Sequence, residues 1–208
     1  MSRRANRAER RSFASSVATL FTALAVAMPA TAAPAPAFDL AQLTAQLARV
    51  KAGEATFIEK RRIEMLDRTL ESSGRLSFRA PDTFVRETLK PRHEKLAVFG
   101  NVLTMSLGER SRTVQLDSAP EAAVIIEAVR GTLTGNRESL ERLFVADVAG
   151  DAERWTLDLV PRDMRLRGQV ASVRLSGRES VVREVQVTLA DGDRSTMTIE
   201  PVTAGVGP

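Results

Sequence analysis

Hydrophobic and polar residues alternate with a period of two in the middle of the chain. In residues 74–80, the side chains of Leu76, Phe78 and Ala80 point to one side, and arginine and serine side chains point to the other. This pattern is typical of a strand with one buried face. Three further runs of strand composition follow at 83–89, 94–99 and 102–107, separated by short turns rich in proline, glycine and asparagine. Because these gaps leave no room for a crossover helix, we expect an antiparallel meander.

Three segments are predicted to be helical. Asp39 precedes a segment in which Leu40, Leu43 and Leu47 recur at helical spacing, and aspartate in this position caps the first free N–H groups. Residues 120–132 and 137–144 form the other two predicted helices. Helices of this kind commonly cover the buried face of a sheet. The alternative is a lid over a ligand cavity, and the sequence leaves both open.

The remaining patterns predict further strands. These lie at 55–66, 112–116, 154–160, 171–175, 185–189 and 195–200, and Asp191-Gly192 is a strong hairpin signal. Residues 59–62 read Glu-Lys-Arg-Arg. Such a density of charge favours an edge or strongly solvated strand, and a basic site for lipid head groups is the alternative.

Residues 1–33 have the pattern of an export signal. Five arginines precede an apolar run at 17–28, which is too short to span a bilayer, and Ala30-Thr31-Ala32 supplies small residues for a signal peptidase. An N-terminal membrane anchor is the alternative. Arg10-Arg11-Ser12-Phe13 also resembles a twin-arginine signal, but general secretion is favoured. We predict a periplasmic protein with a signal peptide at 1–33, a linker at 34–38, one domain at 39–203 and a tail at 204–208.

The predicted signal changes the interpretation of the charge. Of 30 basic and 26 acidic residues, five arginines and Glu9 lie in 1–33, so the remainder holds equal numbers of each. The net charge of +4 therefore indicates no basic patch for nucleic acid. The absence of cysteine excludes disulfides and a lipid-modified cysteine after the signal. We expect a soluble domain.

The sequence offers little catalytic chemistry. His93 is the only histidine and lies in a polar turn, so we expect it to be exposed rather than catalytic. No P-loop, G-x-G-x-x-G motif or G-x-S-x-G elbow is present. We predict no catalytic residues, no metal site, no cofactor and no enzymatic activity. A hydrolase that uses two carboxylates stays open, although no pair stands out.

The order of the central elements resembles the LolA family of periplasmic lipoprotein carriers. The shared pattern is a strand S-G-x-L-x-F with a following basic residue, then P-D-x-F, a strand ending at a proline, and a strand with a glycine turn. The resemblance covers about residues 39–201. It implies a mainly β fold, an antiparallel half-barrel (incomplete β-barrel) with covering α-helices. It also implies a concave apolar face that binds acyl chains.

The resemblance places Leu76, Phe78, Ala80 and Phe84 on this concave face. Together with the inward positions of the next strands, the candidate cavity-lining residues are Leu76, Phe78, Ala80, Phe84, Leu96, Val98, Leu103 and Met105. Leu103 and Met105 stand where the family usually has Trp and Tyr. This departure suggests a divergent carrier whose cargo is lipid-like, such as a glycolipid or a pigment.

An arginine latch is a further implication. Members of the family often have an arginine immediately before the position of Pro81, where it ties the lid helices, but this chain has Ala80 there. Arg79 and Arg86 are therefore the latch candidates. Arg79 lies on the opposite strand face from Ala80, and Arg86 shares the inner face.

The sequence therefore predicts a carrier that holds acyl chains of lipoproteins or lipid-like molecules in a hydrophobic cavity and moves them toward the outer membrane. Expected partners are acylated lipoprotein or lipid-like cargo, an inner-membrane exporter and an outer-membrane acceptor, with no nucleic acid. We expect a monomer. The alternative is a lipid-sensing periplasmic interaction or scaffold domain of an export or signalling system. An exposed apolar patch outside the cavity would favour that alternative, and a deep apolar cavity favours the carrier.

Overall fold

The structure, a computed structural model, describes residues 38–66 and 68–202. The predicted signal peptide at 1–33, residues 34–37 of the predicted linker and the predicted tail at 204–208 lie outside the described residues. Within the described ranges, no helix is long and apolar enough to cross a membrane.

Eleven described strands form one antiparallel sheet. They are β1 Ala52–Ile63, β2 Arg68–Arg79, β3 Thr83–Lys90, β4 Glu94–Phe99, β5 Val102–Leu107, β6 Arg110–Gln115, β7 Phe144–Gly150, β8 Trp155–Pro161, β9 Val170–Arg178, β10 Val181–Leu189 and β11 Arg194–Pro201. Their order is β6-β5-β4-β3-β2-β1-β11-β10-β9-β8-β7. The chain begins in the central strand β1 and continues through β2 to β6 at one edge of the sheet. It then crosses to β7 at the other edge and returns through β8 to β11, which lies beside β1. The sheet is not closed into a barrel, which confirms the predicted open, mainly β architecture.

The described helices are α1 Leu40–Leu47, α2 Pro120–Thr134, α3 Arg137–Leu143 and α4 Met164–Arg167. The Asp39 cap is confirmed, because its carboxylate accepts from the backbone N–H of Gln42 at 2.9 Å. Helices α2 and α3 provide the crossing from β6 to β7. Helix α2 ends at Gly135, where φ is +68° and an added Cβ would lie 2.4 Å from the backbone oxygen of Thr44. Glycine therefore allows the C-terminal ends of α1 and α2 to lie close together.

The structure corrects three details of the predicted elements. Residues 55–66 were expected to form an edge or strongly solvated strand, and the edge position is wrong, because β1 lies at the centre and pairs with β2 and β11. Its many charges reflect one solvated face, while alternate residues point toward the helices. Strand β7 and helix α4 were not predicted. Strand β7 has a weak pattern because Ala146, Ala149 and Gly150 interrupt its larger side chains.

The main hydrophobic core lies on the inner face of β7–β9, beneath α1 and α3. We call this part of the molecule the packed region. Leu157, Leu159 and Val173 are fully buried there, as is Leu43 of α1. Trp155 is 1% exposed, and its indole N–H donates to the backbone oxygen of Glu179 at 2.9 Å. Helix α1 is therefore a covering helix of a filled core, the simpler of the two interpretations open from the sequence.

A second, smaller core lies at the other side of the sheet. Val98 of β4, Leu103 of β5 and Leu116 are each 2% exposed and pack against the first turns of α2. The middle of α2 packs on the main core through Val124 and Ala128. Helix α2 thus rests on two separate cores and spans the part of the sheet between them.

Candidate functional site

A cavity of about 630 Å³ lies beneath α2, between the two cores. We call it, with the strands that line it, the cavity region. Its volume falls in the range of about 300–1,000 Å³ that is usual for small-molecule sites. Helix α2 contributes Ile125, Ile126 and Val129 to its wall. The sheet contributes Leu76, Phe78, Phe84, Leu96, Val98, Val185, Val187, Leu189, Met197 and Ile199.

Strand register brings the predicted residues of the meander together. Phe78 of β2 lies directly opposite Phe84 of β3, and their rings stack with centroids 5.0 Å apart. Phe84 in turn lies opposite Val98 of β4, and Leu76 lies opposite Arg86. Cross-strand partners share a face of the sheet. Five of the eight predicted lining residues therefore lie in one wall of the cavity, namely Leu76, Phe78, Phe84, Leu96 and Val98.

The other three predicted lining residues lie elsewhere. Leu103 is on the inner face but is buried in the smaller core, because the start of α2 packs directly over it. Met105 is on the same face beyond the reach of α2, is 38% exposed and lines a separate groove of about 420 Å³. Ala80 follows the end of β2, and its N–H donates to the backbone oxygen of Lys51 at 2.8 Å.

The two latch candidates make no hydrogen bond to a helix carbonyl within the described residues. The guanidinium of Arg86 lies on the inner face and donates to the carboxylate of Glu59 and to the hydroxyl of Ser72, the latter at 3.3 Å. It also lies over the ring of Phe57, with Cζ 4.8 Å from the ring centroid. The side chain of Arg79 is on the opposite, exposed face of β2. Arg86 is therefore held by the sheet itself.

A different arginine connects the helix to the sheet. Arg130 of α2 donates to the backbone oxygen of Gly100, in the turn between β4 and β5. Its second terminal nitrogen donates to Glu127 at 2.7 Å, and the arginine side chain is only 19% exposed. No sequence pattern indicated this contact, because an arginine within a helix resembles an ordinary solvated residue.

A polar cluster lies on the floor of the otherwise apolar cavity. The carboxylate of Glu59 accepts from Arg86, from the hydroxyl of Ser195 and from the hydroxyl of Ser72, the last at 3.2 Å. Its side chain is only 16% exposed. The sequence contained a signal for this position, since Glu59 shares its strand face with the buried Phe57. Treating β1 as an edge strand obscured that signal.

The opposite wall of the cavity was also missed. Val185, Val187 and Ile199 lie in predicted strands, but their position beside β1 follows from the pairing of β11 with β1. That pairing joins residues about 140 positions apart. The hairpin at Asp191-Gly192 predicts that β11 pairs with β10 on one side. No local pattern predicts that its other neighbour is β1.

His93 lies apart from the cavity, in the turn between β3 and β4. Its side chain is 61% exposed, and Nε2 lies 2.8 Å from Oε1 of Glu87. The hydrogen bond from His93 lowers the pKa of Glu87 below its ordinary value. Across the described ranges, no group of histidine, aspartate or glutamate side chains could hold a metal ion. The apolar cavity with its polar cluster is therefore the candidate functional site.

The chain matches the model of a known protein family. A family model described as outer membrane lipoprotein carrier protein LolA-like matches residues 32–204, which include every described residue. The comparison with curated proteins found no match.

Several solved structures are similar to this chain. One is a LolA superfamily protein from Nitrosomonas europaea, at 9% identity and a TM-score of 0.44, with 76% of this chain and 90% of that chain covered. Another is a putative outer membrane lipoprotein-sorting protein domain from Vibrio parahaemolyticus, at 10% identity and a TM-score of 0.41, with coverage of 81% and 92%. A chain of the MucA/MucB complex from Pseudomonas aeruginosa is similar at 14% identity and a TM-score of 0.47, with coverage of 84% and 59%.

Proposed function

The chain belongs to the family of LolA-like outer membrane lipoprotein carrier proteins, and from this membership we propose that it binds acyl chains in the cavity beneath α2. The observation that carries the proposal is the cavity itself, which is lined by apolar side chains from α2 and seven strands and lies between two filled cores. Burial of each methylene group contributes about 0.8 kcal/mol. A long acyl chain would therefore bind well with few polar contacts.

We further propose that the protein is a carrier rather than an enzyme. In this proposal the segment at 1–33 directs export to the periplasm and is removed. The soluble monomer then takes acylated lipoprotein or lipid-like cargo from an inner-membrane exporter and delivers it to an outer-membrane acceptor. Helix α2 supports this role, because it rests on its two cores without filling the space between them. A limited movement of α2 would open the cavity.

The test compares two substitutions with opposite expected results. Phe78→Glu places a carboxylate in the apolar wall, where its charge would lose hydration. We expect this variant to lose binding of a fluorescent fatty-acid probe. His93→Ala changes an exposed side chain outside the cavity, so probe binding should not change. Circular dichroism on both variants ensures that only folded protein is compared. Full probe binding by folded Phe78→Glu, with binding lost in His93→Ala, would reject the carrier proposal.

A second candidate function is a lipid-sensing interaction domain. It is favoured by apolar residues on the inner face beyond α2, because Leu70, Met105 and Leu107 are 41%, 38% and 47% exposed. In this proposal a protein partner covers that surface. A photo-crosslinking residue at position 107 should then capture one specific protein in the producing cells. The same residue in place of Ile58, which is 52% exposed on the outer face, should capture none. Equal capture at both positions would reject this function.

A further inference from the structure

The groove of about 420 Å³ beside Met105 adjoins the cavity. Arg86 and Leu96 belong to the lining of both spaces, so the groove begins where the cavity ends. From there it extends along the inner face to the edge strand β6, where its lining includes Met105, Leu107, Arg110 and Arg112. A molecule whose acyl chain lies in the cavity therefore has this groove beside it for its remaining part.

The strand register sets the order of the side chains between the cavity and the edge of the sheet. Leu76 of the cavity wall lies opposite Arg86, which lies opposite Leu96. Leu96 in turn lies opposite Met105, which lies opposite Arg112. Cross-strand partners share a face, so one row of inner residues leads from the cavity to β6. Neighbouring strands are about 4.8 Å apart, which places the backbone of Arg112 about 10 Å from that of Leu96.

The two arginines of β6 have no carboxylate to neutralise them. Arg110 and Arg112 are exposed, and neither forms an ion pair within the described ranges. Glu94 is the one carboxylate among the described residues that line the groove. It lies on β4, separated from β6 by β5, and its Oε1 is 3.7 Å from Nη2 of Arg92. Glu109, in the turn before β6, is not part of the lining.

The groove differs from the cavity in its charge. Four carboxylates and three guanidinium groups belong to the residues that line the cavity. The residues that line the groove carry four cationic side chains and one carboxylate. One of the cations, Arg86, is already paired with Glu59. Positive potential is therefore concentrated at the end of the groove that is remote from the cavity, which favours a ligand that is apolar at one end and anionic at the other.

Protection of the sheet edge is the simpler role for these arginines, because charge on an edge strand discourages pairing with another chain. That role can be served from either face of the strand. In β6, however, both arginines share the inner face with Val114, which packs against the smaller core. The outer face carries Ser111 and Thr113. Edge protection does not account for the placement of both charges in a groove that adjoins the cavity.

We propose that Arg110 and Arg112 bind the phosphate group of an anionic lipid whose acyl chain lies in the cavity. The two residues are roughly 7 Å apart along one strand. Guanidinium groups bind phosphate oxygens through directional, charge-assisted hydrogen bonds, and one phosphate has enough acceptor oxygens for both arginines. This inference rests on the proposed acyl-chain binding and specifies the chemical class of the cargo.

The distance between the cavity and the arginines restricts the ligand further. Because Arg112 lies about 10 Å from the cavity boundary at Leu96, the anionic group must be separated from the acyl chain by a linker of several bonds, such as glycerol. The carboxylate of a free fatty acid lies directly on its chain. A fatty acid reaches the arginines only by withdrawing methylene groups from the cavity, which forfeits their burial.

The experiment compares matched ligands in a displacement assay against a fluorescent fatty-acid probe. Monopalmitoylglycerol and palmitoylglycerol phosphate share the acyl chain and the glycerol, and they differ only in the phosphate. We expect the phosphate ester to bind roughly tenfold more tightly. The difference should shrink at high salt, because exposed charges are screened. Palmitate should gain no such advantage over monopalmitoylglycerol, and glycerol phosphate without an acyl chain should not displace the probe.

Two variants test whether the groove is the source of this preference. Arg110→Gln/Arg112→Gln should bind monopalmitoylglycerol as the unaltered protein does and should lose the preference for the phosphate ester. Arg75→Gln/Arg79→Gln is the matched control, because it removes two exposed arginines from the outer face of β2 and changes the net charge equally. It should keep the preference. Circular dichroism on both variants checks that they are folded.

Several results would overturn the inference while leaving acyl-chain binding intact. These are equal affinity for the two glycerol ligands in the unaltered protein, a preference that survives in Arg110→Gln/Arg112→Gln, an equal gain for palmitate, and displacement of the probe by glycerol phosphate. Sedimentation with phosphatidylglycerol vesicles separates a further case. Vesicle binding that requires the two arginines, without any preference for the phosphate ester, would assign them to a membrane surface instead. Failure of every palmitoyl ligand to displace the probe would reject the proposed function itself.

Discussion

Strands β8 and β2 carry the same alternating pattern on their inner faces, but their apolar side chains end in different surroundings. Leu157 and Leu159 of β8 are fully buried against helices and neighbouring strands. Leu76 and Phe78 of β2 are only half-buried and line a cavity. The difference lies in what covers the strands. Several helices fill the space above β8. Strand β2 lies beneath α2 alone, and α2 packs on the two cores rather than on β2. Alternation therefore specifies an apolar face, and the covering helices decide whether that face becomes core or binding site.

The largest expected effect comes from truncating one leucine in each region. Leu159→Ala leaves a hole in the packed region, so we expect the free energy of unfolding to fall by about 2–5 kcal/mol. Leu76→Ala enlarges an existing cavity, so the loss should be limited to the apolar contacts of the removed atoms, roughly 1 kcal/mol. Urea denaturation followed by the fluorescence of Trp155, the only tryptophan, measures both. Equal losses would show that the two regions do not differ in packing.

Filling the cavity should affect binding rather than stability. Leu76→Trp places a larger side chain in the cavity, so the free energy of unfolding should change little. Probe affinity should fall by about tenfold or more, because excluding two methylene groups already removes about 1.6 kcal/mol. Ile58→Trp on the outer face is the matched control and should bind the probe normally. Unchanged affinity in Leu76→Trp would show that the probe binds at another site.

Weakening the attachment of α2 to the sheet tests whether this helix moves when the cavity opens. Arg130→Met removes the contact of α2 with Gly100, and we expect a loss of roughly 1 kcal/mol in the free energy of unfolding. Because α2 covers the cavity region, the probe should also dissociate faster. Arg137→Met removes an exposed ion pair with Glu141 on α3, where the contribution to stability is small. A dissociation rate that is equal in both variants would argue against α2 as the moving cover.

The smallest effect concerns pH and the turn that holds His93. The hydrogen bond from His93 lowers the pKa of Glu87 below its ordinary value of about 4.5. A lowered pKa in the folded state contributes stability above the unfolded pKa, and that contribution is lost as the pH falls through the folded pKa. Glu87→Gln should therefore show a slightly weaker loss of stability on acidification below about pH 4.5. Probe binding at neutral pH should not change. A steeper acid loss in Glu87→Gln would contradict this assignment.

Local patterns in the sequence were sufficient for much of the fold. Alternation and turn residues predicted the meander from β2 to β5, and Asp39 predicted the start of α1. The pairing of β11 with β1 and the support of α2 by two distant cores depend on long-range packing, which no local pattern contains. The polar cluster was missed for a different reason. Glu59 has the same strand parity as Phe57, but the neighbouring Lys60 and Arg62 made the strand resemble an edge.

The most direct test of the account is native mass spectrometry of the protein purified from the cells that produce it. If the cavity region is an acyl-binding site, the intact protein should carry an additional mass that organic extraction removes and that contains an acyl chain. The folded Leu76→Trp variant, prepared in the same way, should lack that mass. An unaltered protein that carries no acylated molecule, or a Leu76→Trp variant that carries the same one, would contradict the assignment of the cavity as the functional site.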